Sequence, residues 1–225
     1  MPTSTVENYL KTIYLQQQKQ RSAAKTVAMG KLAKAMDVAP GTATSMIKTL
    51  ADSGLVDYKP RTGVHLTDKG QTLALHILRR HRLLEQFLVE VLGLDWSEVH
   101  DEAEVLEHAV SDKVLERIDE YLGHPDTDPH GDPIPPAKGK HAPVQLKSLA
   151  DSIDQKQLTV ARIVDQGREF LQFMHQHGLR PGTPITIISH DRIVDAITIK
   201  TPKQNPVTLG MTAAGKILVR KTTSR

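Results

Sequence analysis

Pro40-Gly41-Thr42-Ala43-Thr44-Ser45-Met46-Ile47-Lys48-Thr49-Leu50 is a short two-faced helix written in sequence. Ala43, Met46, Ile47 and Leu50 recur at helical spacing and share an inward face, while Thr42, Thr44, Ser45 and Lys48 point the other way. Proline suits a first helical turn, where its missing N–H is no loss, and Gly54 stops the helix. Upstream, Val27 to Val38 predicts a preceding helix with Leu32, Ala33 and Met36 on one face. Asp37-Val38-Ala39 is the break between the two. Downstream, Leu55-Val56-Asp57-Tyr58 and Val64-His65-Leu66 read as two short strands. Lys59-Pro60-Arg61-Thr62-Gly63 joins them into a hairpin with two cations at its tip. Two helices, a turn and a hairpin make a winged helix-turn-helix, whose second helix enters the major groove of DNA.

On that reading Pro40, Gly41, Thr42, Thr44 and Ser45 are DNA-contact candidates, because small or polar residues at a helix start permit close approach. Lys48, Lys59 and Arg61 are phosphate candidates, with Lys25 and Lys31 as lesser ones. The helix places no Arg or Asn for bidentate base recognition. Specificity then rests on few direct contacts plus DNA shape.

Outward from this segment the chain is helical first and β-rich later. Ser4-Thr5-Val6-Glu7 has the form of a capping box, and Val6, Tyr9, Leu10, Ile13 and Tyr14 follow helical spacing. Thr67 and Asp68 open a long helix to about Leu92, ended by Gly93. Asp95 with Glu98 is placed to cap a further helix, and Ser111-Asp112 opens another, to Tyr121. Residues 123–143 are rich in Pro, Gly, His and Asp and read as a linker. Beyond them Leu158 to Val164, Pro184 to Ser189, Ile193 to Lys200 and Ile217 to Arg220 read as strands, with a short helix from Gly167 to His177 closed by Gly178. The fold class is mainly α with a β-rich tail.

Two stretches carry metal-ligand chemistry: His81-Arg82-Leu83-Leu84-Glu85 and His100-Asp101-Glu102-Ala103-Glu104-Val105-Leu106-Glu107-His108. Residues three or four apart share a helical face, so imidazole and carboxylate groups stack as a divalent ion requires. The chain has 225 residues, 39% of them hydrophobic, a net charge of +3 and no cysteine, so it is long enough for a packed core and has neither disulfides nor thiolate ligands. The first residues are polar and acidic, unlike a secretory leader, and no run of 18 apolar residues suggests a membrane span. A cytoplasmic location is expected.

The whole chain resembles the diphtheria-toxin repressor family of metal-dependent transcriptional regulators. The resemblance is carried, in the family's order, by Val6 to Tyr14, Leu66-Thr67-Asp68-Lys69-Gly70, Arg80 to Phe87, Val99 to Glu104, Glu107 to Asp112, Asp128-Pro129-His130-Gly131-Asp132-Pro133-Ile134-Pro135 and Gly178-Leu179-Arg180-Pro181-Gly182. It implies three domains: a winged helix-turn-helix over 1–72, a helical dimerisation and metal-binding domain over 73–142, and an SH3-like, FeoA-like barrel over 143–225. It implies a homodimer on a pseudo-palindromic double-stranded operator. Glu104, Glu107, His108 and His81 match the family's primary site. Asn8 stands where aspartate or methionine is usual, which leaves one anionic charge missing. Glu85, Asp128, His130 and Asp165 match the second site of the manganese-sensing branch, and His100 an ancillary ligand of the iron-sensing branch. Gln166, Glu169 and Gln172 are competing barrel-side candidates.

These matches give a regulator, in all expectation a repressor of metal-homeostasis genes, that binds its operator when Mn²⁺ is bound. Fe²⁺ is the alternative ion; the hard oxygen donor Glu104, where iron sensors carry cysteine, favours Mn²⁺. A winged-helix regulator indifferent to metal is the alternative function. A metallohydrolase needs an open metal position and a general base; the chain has no His-Glu-x-x-His and no nucleophile elbow, so no enzyme is expected.

Overall fold

The computed structural model describes residues 3–20, 26–137 and 146–222. They fall into two compact units, one running through His81 and the other beginning at Arg82. Lys25 lies outside the described residues.

The first unit is the winged helix-turn-helix. It comprises α1 (Ser4–Gln18), α2 (Met29–Ala35), α3 (Pro40–Asp52), β1 (Val56–Lys59), β2 (Gly63–Leu66) and the start of α4 (Asp68–Glu90). Tyr9, Leu10 and Ile13 of α1, Leu32 of α2, Ala43, Ile47 and Leu50 of α3, and Val56, Val64 and Leu66 of the hairpin form one buried core. The strands pair antiparallel from Val56 opposite Leu66 to Lys59 opposite Gly63. The cap of α1 is Thr3, one residue before the expected box, and its hydroxyl accepts from the Val6 N–H. The helix expected from Val27 begins only at Met29, because the Val27 backbone exchanges two hydrogen bonds with Val64 and extends the wing. Thr67 fixes the start of α4: its hydroxyl donates to the Gly54 carbonyl at 2.9 Å and accepts from the Gly70 N–H at 3.1 Å.

The second unit continues along α4 into α5 (Val99–Leu106) and α6 (Asp112–Tyr121). Leu83, Leu84, Leu88, Val99, Ala103, Leu115 and Ile118 make its helical core. The β-rich part follows: β3 (Lys147–Ser148), a 3₁₀ turn, β4 (Gln157–Ile163), α7 (Arg168–Gln176), β5 (Pro184–Asp191), β6 (Ala196–Lys200), β7 (Val207–Gly210), α8 (Met211–Ala214) and β8 (Ile217–Lys221). These strands form one antiparallel sheet in the order β3-β8-β4-β5-β6-β7. Among the described residues β3 and β7 do not pair with each other, so the expected barrel is present as an SH3-like sheet that does not close. Trp96, 1% exposed, comes from the segment between α4 and α5 and buries itself in the core of this sheet.

Three further expectations are corrected. Asp95 does not cap α5; its carboxylate accepts from the Ser97 N–H and hydroxyl instead, and α5 begins without a side-chain cap. Ser97 holds that carboxylate, and its pKa, below the usual range. The strand expected from Ile193 begins at Ala196, because Asp191 Oδ1 accepts from the Ile193 and Val194 N–H groups and Asp195 is left-handed (φ 51°), which turns the hairpin. Finally, α5 stops at Leu106, so Glu107 is its C-cap and His108 lies in the next turn rather than on the helix.

Candidate metal centre and nucleic-acid interface

Glu85, on α4, is almost completely buried, and so are Asp128 and His130 from the loop after α6. One donor atom of each lies within 4.8 Å of the others. The loop owes its shape to Asp128: Oδ1 accepts from the backbone N–H groups of His130 and Asp132, each at 2.9 Å, and its carbonyl accepts from Gly131. The second carboxylate oxygen is left for other partners, with Arg82 Nε 3.6 Å away. Burial pushes the Asp128 carboxyl well above its ordinary pKa, and the neighbouring Asp132 and Glu85 charges add to this against the pull of Arg82. Two more acids beside a buried acid are costly unless positive charge joins them.

His130 bears on what kind of charge fits. His130 Nε2 lies 2.8 Å from the Trp96 carbonyl. A carbonyl only accepts, so Nε2 carries a proton and Nδ1 is the ring nitrogen left for another partner. That nitrogen is buried and has no hydrogen-bond partner among the described residues. The ring is stacked on Trp96 with centroids 5.5 Å apart, and so cannot turn away freely. An imidazole oriented through its outer N–H, with its other nitrogen beside two carboxylates, is the donor arrangement of a divalent cation.

His100 extends this group from α5: its Nδ1 is 3.4 Å from Glu85 Oε1, and the ring is exposed on its other side. Glu104, half-buried, and Glu107, completely buried, stand one turn apart at the end of α5, and His108 Nε2 is 3.4 Å from Glu107 Oε1. His81 is buried on α4, one turn before Glu85. Asn8 is on α1, where its Oδ1 is buried without a hydrogen-bond partner among the described residues. Asp165 belongs to none of the donor groups formed by the described residues. Lys216 Nζ donates to it at 2.7 Å and Gly167 N–H at 2.9 Å, and both hold its pKa down. The barrel-side alternatives are also placed elsewhere: Gln166 donates its amide to Asp132 Oδ2 at 2.8 Å, while Glu169 and Gln172 are exposed on α7.

Sequence reading missed the residues that hold this loop: Arg82, Asp132, Arg162 and Trp96. A second acid four residues after Asp128 was the available signal.

On the reading unit, Pro40, Gly41, Thr42, Ser45 and Lys48 are exposed along α3, as are Lys59 and Arg61 at the hairpin tip and Lys31 on α2. Thr44 is half-buried, and its hydroxyl donates to the Pro40 carbonyl at 2.8 Å, which leaves an oxygen lone pair and a methyl group as its outward chemistry.

Three family profiles match the chain in sequence order. The profile described as "Iron dependent repressor, N-terminal DNA binding domain" matches residues 1–64. "Iron dependent repressor, metal binding and dimerisation domain" matches 67–136, and "FeoA domain" matches 147–221. The chain is 37% identical over 131 residues to the iron-dependent repressor IdeR of Mycobacterium tuberculosis, a match over 58% of this chain and 55% of that protein. It thus spans about half the length of that relative. It is 40% identical over 120 residues to an HTH-type transcriptional regulator of Methanocaldococcus jannaschii, covering 53% of this chain and 94% of that one. A solved manganese-dependent transcriptional repressor in complex with manganese superposes with a TM-score of 0.84 at 40% identity, over 96% of this chain and all of that one.

Proposed function

Since this chain belongs to the iron-dependent repressor family, we propose that it is a metal-dependent transcriptional repressor whose operator binding is switched on by a divalent cation, Mn²⁺ in preference to Fe²⁺. The observation that carries the reading is the unpartnered His130 Nδ1 buried beside Glu85 and Asp128. A metal-independent regulator has no use for that arrangement, which costs folding energy and serves nothing unless a cation enters.

The residues divide into two sites. Glu85, Asp128 and His130 form one, with His100 at its edge. Asn8, His81, Glu104, Glu107 and His108 are assigned to the other on the family pattern. Asp165 is left out of both, because Lys216 and Gly167 occupy its oxygens. When bound, the ion supplies the positive charge these carboxylates lack and two or more directed bonds to oxygen and imidazole nitrogen. The ligands themselves do the rest. Glu107 and Glu85 are pre-buried, so little side-chain freedom is lost on binding, and Trp96 keeps the His130 ring in one tautomer. Oxygen and nitrogen donors without sulfur suit Mn²⁺, and any choice against Fe²⁺ rests on geometry, because raw affinity runs the other way.

DNA recognition is assigned to Pro40, Gly41, Thr42, Thr44 and Ser45 at the start of α3, with Lys48, Lys59 and Arg61 on phosphates. The fully described α3 brings no Arg or Asn to base edges, so shape readout contributes. A homodimer on a two-fold operator supplies the affinity that one winged helix lacks. Exposed Val105 on α5 and Val114 and Tyr121 on α6 are apolar surface available to a second copy. We place the protein in the cytoplasm, with its DNA; among the described residues no helix is long and apolar enough to cross a membrane.

The test is selection of duplexes from a random pool with Mn²⁺ present, then measurement of affinity for the selected duplex with Mn²⁺, with Fe²⁺ under reducing anaerobic conditions, and with chelator. Binding at least about 10-fold tighter with metal is expected, a coupling of about 1.4 kcal/mol. Equal affinity in all three conditions overturns the reading.

A further inference from the structure

The loop that brings Asp128 and His130 to Glu85 is fastened from outside the site. Asp132, 3% exposed, is its anchor. Its Oδ1 accepts from Arg82 Nη2 at 3.2 Å and from Arg162 Nη2, and its Oδ2 accepts from Gln166 Nε2 at 2.8 Å. Its backbone N–H and carbonyl bind Asp128 Oδ1 and the Asp128 N–H. The position of one ligand is therefore tied to Asp132 through both side chain and main chain.

Two of these contacts lead to the β-sheet. Arg162 is on β4, where the pairing with β8 shifts register between Val160 and Arg162. Gln166 follows the same strand. At the shift the loop lies directly on the strand. The His130 carbonyl accepts from Ile163 N–H at 2.8 Å, and a Cβ on Gly131 (φ +86°) would stand 2.1 Å from the Ala161 carbonyl oxygen. Trp96, which orients the imidazole, is buried in the same sheet's core and carries the Arg180 guanidinium over its ring at 5.1 Å. Asp165, the residue of this sheet placed to donate directly, is committed to Lys216.

We propose that Asp132, clamped by Arg82, Arg162 and Gln166, is a positioning residue for the Glu85–Asp128–His130 site, through which the C-terminal sheet sets that site's geometry without donating a ligand. The proposal deepens the metal-binding reading and rests on it. Its chemistry lies in the sharing of Arg82. That guanidinium faces Asp128 Oδ2 through Nε and Asp132 through Nη2. Once the Asp132 charge is gone, Arg82 turns its full charge on Asp128 and competes with the cation for that oxygen. Supporting groups of this kind change metal affinity by about 10- to 100-fold.

The experiment titrates the full-length chain with Mn²⁺ alone, following free ion and the bound-ion spectrum by electron paramagnetic resonance. Metal-free thermal melts run in parallel. Asp128→Ala identifies the binding class that belongs to this site. Asp132→Asn is expected to weaken that same class by about 10-fold or more, to alter its bound-ion spectrum, and to leave the other class unchanged. Gln166→Leu, a milder change, is expected to weaken it by a smaller factor. Arg162→Lys is expected to restore most of what Arg162→Gln loses, which a purely packing role does not predict. If Asp132→Asn costs folding, the Gln166 and Arg162 variants decide alone. Affinity within about two-fold of the parent in folded variants, with Asp128→Ala still abolishing the class, overturns the positioning role and spares the metal reading. A parent that binds no Mn²⁺, or an Asp128→Ala variant that binds like the parent, overturns both.

Discussion

Asn8 carries a buried Oδ1 with no partner among the described residues. An orphaned buried acceptor costs roughly 1–3 kcal/mol. Asn8→Ala is therefore expected to leave the metal-free protein as stable as before or slightly more stable, while weakening Mn²⁺ binding. Asn8→Asp is expected to tighten Mn²⁺ binding and to destabilise the metal-free form at neutral pH, because an unpaired carboxylate there is poorly solvated. Calorimetric titration together with metal-free melts separates the two effects. Lower metal-free stability with unchanged Mn²⁺ affinity in Asn8→Ala makes the residue structural. Asp165 has the opposite character. Its pKa is lowered by Lys216, so its contribution is present above the unfolded carboxylate value near 3.9 and is lost as pH falls through the lower folded value. The pair is partly exposed and screened, so it is worth roughly 0.2–1 kcal/mol. Asp165→Asn should lower the melting temperature slightly at pH 7 and by progressively less below about pH 4, with Mn²⁺ stoichiometry unchanged; loss of a bound ion returns Asp165 to the ligands. At this scale the helical positions of Glu85 and Glu104 were legible from spacing alone, whereas Glu107 and His108 fall past the end of α5. Asp132, Arg82 and Arg162 were not legible, because the two arginines meet at Asp132 from 50 and 30 residues away in sequence.

Elements built on local pattern were read well, and those built on distant pairing were not. The inward face of α3 and the two wing strands follow from spacing and turn residues alone. Two-residue β3 and the β7–α8 pair carry too short an apolar pattern to stand out; they exist because β8 and β6 offer edges to pair with. Val27 was drawn from helix to strand by the same kind of pairing. The junction between wing and α4 makes a further case. Gly70 sits where a Cβ would stand 2.0 Å from the Leu55 carbonyl oxygen, a backbone atom with nowhere to go. Gly70→Ala is expected to destabilise the reading unit by about 1–3 kcal/mol, visible as an earlier melting transition, although alanine is the better helix former. A neutral or stabilising effect means that the close approach of α4 to Leu55 is not maintained in solution. On α3 itself, Lys48→Ala should weaken DNA binding by similar factors across sequences and lower the salt-dependence slope by about 1. Sequence-selective loss instead makes Lys48 a base-reading residue.

For the molecule as a whole, the proposed dimer and its DNA affinity are one question, because a second reading head on a two-fold operator would double the phosphates neutralised. Val105, Val114 and Tyr121 are 70%, 50% and 73% exposed, on two adjacent helices whose opposite faces are buried. Single exposed apolar residues are ordinary, and the proposed dimer gives this set a use as pairing surface. Val114→Glu places a charge on that surface at little expense to the fold, since Val114 is outside the buried core. Sedimentation is expected to show a dimer for the parent chain and a monomer for the variant. A monomer makes half the phosphate contacts, so the slope of log affinity against log salt should fall to about half that of the parent. Mn²⁺ titration of the variant should still fill the Glu85–Asp128–His130 site, whose three ligands lie in one chain. A variant that stays dimeric moves the pairing surface elsewhere. A monomeric variant that keeps the full salt slope shows instead that one reading head engages the whole operator, and the two-fold arrangement is then wrong.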